Sequence, residues 1–188
     1  MIASLNGTVI IREDPYLIID VNGVGYKVLA TQDVLSSISV GSNLKLFTYT
    51  HVREDELALY GFSKYPDLKL FENLINVSGI GPKTAIGIFA VGTAEQIVKA
   101  ISAGDTSFFS GVPRLGTKNA QKIIIELKNK VGGGELDLSG NGANRGEVSS
   151  ALKTFGFTAN EINDALRNID SMASAEEQIK LALKYLGK

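Results

Sequence analysis

The sequence predicts an α+β protein of several domains, and three observations lead to that fold class. Residues 1–64 contain short runs rich in Val, Ile, Leu and Tyr between turn residues, which is typical of β-strands. From Pro66 onward the apolar residues recur at helical spacing. Residues 132–146 hold six glycines and few apolar side chains, so we expect a flexible linker there. The predicted domains are therefore 1–64, 65–131 and 147–188.

Five strands are predicted in the N-terminal domain, at residues 2–11, 16–21, 24–29, 44–51 and 57–62. Asn22 and Gly23 both tolerate positive φ and predict a hairpin turn, and Asp14-Pro15 and residues 41–43 mark two more turns. An open sheet of this kind would leave unpaired edges that invite aggregation. We therefore expect a small closed barrel of the oligonucleotide-binding type.

The pattern in the rest of the chain predicts helices. Helix starts are predicted by three capping-box patterns, which are Thr93 with Gln96, Thr158 with Glu161, and Ser174 with Glu177. The apolar faces of the middle domain include Leu68, Phe71, Leu74 and Ile75, and then Ala120, Ile123, Ile124, Leu127 and Val131. Residues 147–188 supply three further apolar faces, which predict a small three-helix module.

An internal repeat is the most informative feature of the middle domain. A shift of 35 places aligns Val77 with Val112, Ile80 with Leu115, Gly81 with Gly116, Lys83 with Lys118, and Ala85 with Ala120. Two copies of one pattern between helical segments predict an all-α domain with two helix-hairpin-helix motifs.

Such a hairpin favours an anion. A glycine-containing turn that leads directly into a helix leaves backbone N–H groups pointing outward, and the helix dipole adds positive potential there. Gly81 and Gly116 would let a phosphate oxygen approach closely, and Lys83 and Lys118 would add positive charge beside it. The alternative is that each glycine is only a turn or a helix cap. A lysine at the same offset in both copies favours the phosphate site.

Composition excludes several function classes. The chain has no cysteine and one histidine, which argues against a thiolate or poly-histidine metal site. Pro82 separates Gly81 from Lys83, so the segment is not a nucleotide-binding P-loop, and we expect no cofactor. No long apolar span or export signal is visible, which predicts a cytoplasmic protein with no membrane contact.

Net charge is −1 overall, but it is distributed unevenly. The three predicted domains, with the linker counted in the third, carry net charges of −2, +3 and −2. A modestly basic middle domain suits a binder of nucleic-acid backbone.

Two alternatives remain open at this stage. One is a nuclease or glycosylase that positions DNA with its hairpins, and the other is a protein-interaction adaptor that relies on the C-terminal module.

Five segments of the sequence carry a resemblance to a known family: MIASLNG, DVNGVGYKV, HVREDELALYGF, LINVSGIGPKTA and GTKNAQKIIIELKNK. They resemble the RuvA family, the DNA-binding subunits of Holliday-junction branch-migration complexes. The resemblance implies a non-catalytic protein of homologous recombination, DNA repair and the SOS response. It implies homotetramers, one or two of which hold a four-way DNA junction open. It also implies two protein partners, the RuvB hexameric ATPase motor, bound by the C-terminal domain, and the RuvC junction resolvase.

The family's functional residues fall on named positions of this chain. The phosphate-binding hairpins match Ser78, Gly79, Ile80, Gly81 and Lys83, and then Arg114, Leu115, Gly116 and Lys118. The acidic pin at the junction centre matches Glu54 and Asp55, with Arg53 beside them. For the motor-binding surface we expect a subset of Ile162, Leu166, Leu183 and Leu186.

The pin also has a physical rationale. Glu54, Asp55 and Glu56 lie between two strand patterns, where a turn would project them. Such carboxylates are often only a solvated loop tip. In a fourfold tetramer, however, one turn from each subunit can meet at the axis. Carboxylates there would repel incoming phosphates by about 1 kcal/mol per close pair in water.

Arg114 departs from the family pattern, which usually has glycine at that position. A non-glycine residue is strained where φ must be positive. The sequence leaves two interpretations: the second hairpin is reshaped, or Arg114 supplies an extra phosphate contact.

Overall fold

The computed structural model describes residues 1–132, 142–169 and 173–187. It forms two compact units, Met1–Leu127 and Lys128–Lys188. Of the predicted linker, residues 133–141 lie outside the described residues, and residues 142–146 already belong to a helix.

A closed five-stranded barrel forms the N-terminal part of the first unit. Its strands are β1 (Ser4–Glu13), β2 (Tyr16–Val21), β3 (Val24–Ala30), β4 (Asn43–Val52) and β5 (Leu57–Phe62). They pair in the order β1-β2-β3-β5-β4, and β4 returns to β1. All pairs are antiparallel except β3 with β5. The closed barrel that the edge argument predicts is therefore confirmed.

Side chains that alternate along the strands lie inside the barrel and fill its interior. In β2, Leu17 and Ile19 are fully buried, while Tyr16, Ile18 and Asp20 beside them are only partly covered, which is the period of a strand with one face in a core. The predicted turn between β2 and β3 is present, with φ of 53° at Asn22 and 87° at Gly23. Helix α1 (Gln32–Ser37) is an element that the sequence reading missed.

The helical part of the first unit contains the two repeats. Helices α2 (Tyr65–Ile75), α3 (Pro82–Val91), α4 (Ala94–Ala103) and α5 (Thr117–Gly132) are joined by turns and by a short 3₁₀ helix, Ser107–Gly111. The capping box of Thr93 and Gln96 opens α4 as predicted. Apolar residues related by the 35-residue shift are buried in both copies: Val77 and Val112, Ile80 and Leu115, Ala85 and Ala120, Ile88 and Ile123, and Phe89 and Ile124. The two copies are therefore equivalent in packing as well as in sequence.

Aromatic rings join the barrel to the first repeat. Phe71 of α2 lies with its ring centroid 5.4 Å from Tyr49, 5.4 Å from Tyr60 and 5.0 Å from Phe62. Phe62 in turn lies 5.5 Å from Phe89 of α3. Aromatic pairs at such distances add about 0.5–1.5 kcal/mol each beyond the burial of their area. This cluster holds the β4–β5 hairpin in a fixed position beside α2 and α3.

The second unit contains α6 (Gly142–Thr154), α7 (Ala159–Arg167) and α8 (Ala175–Tyr185). Its core contains Val148, Leu152, Ile162, Ala165, Leu166 and Ala182. The capping box of Thr158 and Glu161 is complete. At α8 the side chain of Ser174 accepts a hydrogen bond from the Glu177 backbone N–H at 3.3 Å, which is one half of the predicted box.

No single helix in the described parts of the chain is long and apolar enough to cross a membrane. By length and composition, α3 and α4 meet that test only as a pair, and they are bent by 96° at the break between them.

Candidate nucleic-acid interface

The first hairpin is a tight turn between α2 and α3. The N–H of Ile80 donates to the carbonyl oxygen of Val77 at 3.0 Å, and Gly79 has a φ of 90°. A turn closed in this way with positive φ at its third residue has the features of type II, which favours glycine at that place. Gly81 then caps α3 in an extended conformation.

The second hairpin has the same shape. The N–H of Leu115 donates to the carbonyl oxygen of Val112 at 3.2 Å, and Arg114 adopts a φ of 65°. Pro113 occupies the second turn position, for which its fixed φ is suited. Of the two interpretations left open for Arg114, a reshaped hairpin is wrong. Arg114 takes the left-handed conformation that Gly79 has in the first copy.

Both hairpins present free backbone donors. The N–H groups of Thr84 and Ala85 bond the carbonyl oxygen of Gly81, so the first turn of α3 is formed. Within the described chain, the backbone N–H groups of Gly79, Gly81 and Lys83 donate to no other residue. The same holds at the start of α5 for Gly116, Thr117 and Lys118. Donors of this kind at a helix N-terminus are suited to an anion such as phosphate.

Gly81 and Gly116 are not required by the fold. A Cβ atom added at either one would meet nothing within 4 Å, and neither has a positive φ. Gly79 differs, because its φ of 90° favours glycine and because an added Cβ would lie 3.3 Å from Asn119 Oδ1. This close approach also shows that the first hairpin lies next to the start of α5. The open space over Gly81 and Gly116 therefore suits a ligand that approaches the backbone.

Side chains of the hairpins divide into two sets. Ile80 and Leu115 are buried, so only their backbone groups are available to a ligand. The side chains of Ser78, Lys83, Arg114 and Lys118 are exposed. The accessible charge beside the free N–H groups is thus positive in both copies.

The acidic turn lies between β4 and β5. Residues 53–56 connect the last strand pair, Val52 with Leu57, and the Arg53 N–H donates to the Glu56 carbonyl oxygen at 2.8 Å. Arg53, Glu54 and Asp55 are exposed at its tip.

Glu56 does not share that position. Its Oε1 lies 3.1 Å from Nζ of Lys83, the lysine of the first hairpin. Sequence reasoning missed this ion pair because the two residues lie 27 positions apart in different elements. It brings the acidic turn and the first hairpin together.

Tyr60 lies beneath the acidic turn and is fully buried. Burial, and secondarily the negative charge of Glu56, raise the pKa of its phenol, although Arg53 acts in the opposite direction. The ring packs in the aromatic cluster described above, so Tyr60 is a core residue. It is not a surface for base stacking.

The C-terminal residues expected to bind a motor lie in or against the core of their unit. Ile162 and Leu166 are buried, and Leu183 and Leu186 pack against them. Ile162 and Leu166 are thus core residues, as expected for part of this set, and the motor-binding role of Leu183 and Leu186 stays a prediction. The exposed apolar side chains among the described residues of this unit are Phe155, Leu181 and Tyr185.

No group of three or more His, Cys, Asp or Glu side chains that could hold a metal ion is found where the chain is described.

Fold and site together define a class: proteins that join an oligonucleotide-binding-type barrel to a tandem helix-hairpin-helix domain. Comparison with known families identifies each part. Residues 1–61 match the RuvA N-terminal domain, 71–129 a SAM-like helix-hairpin-helix tandem, and 143–187 the RuvA C-terminal domain.

Whole-chain relatives agree with these matches. The chain is 42% identical to a protein of Halothermothrix orenii over 195 residues, 39% to one of Herpetosiphon aurantiacus over 195, and 38% to one of Chloroflexus aggregans over 193. Each comparison covers all of this chain and at least 98% of the relative. All three relatives are named Holliday junction branch migration complex subunit RuvA. The chain belongs to the RuvA family.

Proposed function

We propose that this chain is the DNA-binding subunit of a Holliday-junction branch-migration complex. In this role it holds a four-way junction open and recruits an ATP-driven motor, and it has no catalytic activity of its own. One observation carries the proposal: two hairpins of the same backbone shape present free N–H groups and lysines, and the first lies against an acidic turn.

The hairpins would grip the DNA backbone without reading its sequence. Their donors are main-chain N–H groups and the flexible ammonium groups of Lys83 and Lys118, which suit phosphate oxygens rather than base edges. Arg114 adds an exposed cation to the second hairpin. A single pair of such contacts is weak, but several pairs on one assembly bind tightly through their effective concentration.

Assembly as a homotetramer, with one or two tetramers on each junction, completes the site in this proposal. Four copies of residues 53–56 would then meet near the symmetry axis. There Glu54 and Asp55 would repel phosphates at the crossover and keep the strands apart, and Arg53 would hold a neighbouring phosphate. The family resemblance further supports RuvB as the motor, RuvC as a second partner, a cytoplasmic location, and roles in recombination, DNA repair and the SOS response.

Neutralising the pin tests this function. The variant Glu54→Gln with Asp55→Asn keeps the shape of the turn and removes two charges from each subunit. We expect its preference for a four-way junction over linear duplex to fall by about tenfold. The carboxylates also limit the binding of DNA that is not a junction, and a duplex gains more than a junction when repulsion of about 1 kcal/mol per close pair is lost. Gel-shift titrations with both DNAs measure that ratio.

An unchanged preference for the junction in the pin variant would refute the role of the turn. Wild-type protein that binds junction and duplex equally would refute the function itself. The same samples incubated with Mg²⁺ test the nuclease alternative, because cleavage of the junction would contradict a non-catalytic subunit.

For the motor we propose the exposed face of α8. Leu181 and Tyr185 are four residues apart and lie on one side of that helix, and both are exposed. We expect Leu181→Ala to weaken RuvB binding by about fivefold or more, because the burial of part of a leucine side chain is lost. Pull-down with RuvB measures the effect. Lys180→Ala, at an exposed neighbour on α8, is the matched control, and an equal loss in both variants would exclude this face.

A further inference from the structure

We propose that Glu56 is an exchange partner for Lys83, a carboxylate that holds the ammonium group whenever a DNA phosphate leaves it. The inference rests on the proposed function for its biological meaning. Its basis in the structure is independent of that function. It is the ion pair of 3.1 Å between the acidic turn and the first hairpin.

The position of Lys83 makes the pair reversible. The lysine side chain is 73% exposed, while that of Glu56 is 35% exposed. An exposed ammonium on a flexible stem can move between a carboxylate and a phosphate with little loss of solvation. Lys83 is also the second residue of α3, directly beside the free N–H groups that would hold the same phosphate.

Glu56, in contrast, is held in place. The turn that carries it is closed by the bond from the Arg53 N–H to the Glu56 carbonyl oxygen, and β5 begins at the next residue. The aromatic cluster around Phe71 fixes β5 against the helices. The carboxylate therefore stays near the hairpin whether or not Lys83 is bound to it.

The second hairpin has no such competitor. Among the described residues, Lys83 pairs with Glu56 and Lys69 with Glu72, whereas neither Arg114 nor Lys118 forms an ion pair with a carboxylate. The two hairpins thus differ in function although they share one shape. The second grips phosphate without competition, and the first exchanges it.

Exchange is useful when DNA has to move through the complex. A backbone that slides past a fixed protein must break each phosphate contact before the next is made. Glu56 stabilises Lys83 in the interval between the two phosphates, so it weakens binding and speeds release. This makes Glu56 a positioning residue that acts through Lys83.

A double-mutant cycle on the full-length protein tests the inference. Glu56→Gln, Lys83→Gln and the combined variant are compared with wild type by chasing a labelled four-way junction, and separately a labelled duplex, with unlabelled competitor DNA. We expect Glu56→Gln alone to slow dissociation about two- to fivefold for each engaged hairpin, the range that an exposed ion pair supports. In the Lys83→Gln background the same change should have no effect.

Salt supplies a second readout that a purely structural role would not alter. The ratio of the wild-type to the Glu56→Gln dissociation rate should shrink toward one as salt is raised, because the competing ion pair is screened. Thermal unfolding should be the same in both proteins. Glu72→Gln is the matched control, since it removes the other ion pair and the same charge, and its dissociation rate should equal that of wild type.

Two results would overturn the proposal. One is an unchanged dissociation rate in Glu56→Gln. The other is an effect of Glu56→Gln that persists when Lys83 is absent, which would show general repulsion of DNA. Because the cycle is also run on duplex DNA, it reports on Glu56 even if the protein proves to have no preference for junctions.

Discussion

Gly81→Ala combined with Gly116→Ala is expected to reduce DNA affinity by at least about 100-fold while the protein stays folded. An added methyl group at either position enters open space, so nothing within the chain opposes it. It would, however, stand where a phosphate oxygen approaches the free N–H groups. The loss of one charge-assisted hydrogen bond at each hairpin is worth about 1.5–3 kcal/mol, and the two together account for the expected factor.

Duplex and junction binding at fixed salt measure this effect, and urea unfolding measures stability. The expected change in the free energy of unfolding is about 1 kcal/mol for each substitution, since alanine is a poorer N-cap than glycine. Gly87→Ala within α3 is the matched control, because its new methyl group only touches Val112 at 3.5 Å. Wild-type affinity in the folded double variant would show that close approach to these glycines is not needed.

Gly7→Ala is expected to destabilise the barrel by about 3 kcal/mol or more. A Cβ at Gly7 would lie 2.0 Å from the backbone carbonyl oxygen of Asp20 in the neighbouring strand β2. A backbone atom in a closed barrel cannot turn aside as a flexible side chain can, so β1 and β2 would have to separate. Chemical denaturation should show a lower midpoint and, at physiological temperature, partial unfolding.

Gly25→Ala is the control for this prediction. Gly25 pairs with Asp20 from the other side, in β3, and its added Cβ would approach only side chains, those of Ile18 at 3.2 Å and Ile10 at 3.9 Å. We expect a loss of about 1 kcal/mol or less there, because a side chain can adjust. Equal midpoints for the two variants would contradict the clash at Gly7.

Local signals in the sequence predicted local structure well. The capping boxes at Thr93 and Thr158 span three residues each, so their geometry is contained in the pattern itself. The hairpin at Asn22 and Gly23 is likewise set by two residues. Barrel closure was predicted from a global argument, the cost of unpaired strand edges. Helix α1 was missed because six residues with two buried side chains give too short a period to recognise.

Contacts between distant residues were not predictable in the same way. The pairing of Glu56 with Lys83 depends on how the barrel packs against α3, which no short pattern records. The C-terminal unit shows a related difficulty. Ile162 and Leu166 lie on an apolar helix face, but a module this small needs that face for its own core. Sequence periodicity identifies such a face without showing what covers it. The domain boundaries and the linker remain predictions.

Arg114 has a consequence for how ancient duplications are recognised. Its φ of 65° matches the 90° of Gly79 in the other copy, although the two side chains have nothing in common. An alignment scored by residue identity counts this position as a mismatch, whereas one scored by backbone dihedral angle counts it as a match. At this position the two halves of the domain share a backbone conformation and not a residue type. A repeat whose sequence has diverged further could therefore still be recognised by its torsion angles.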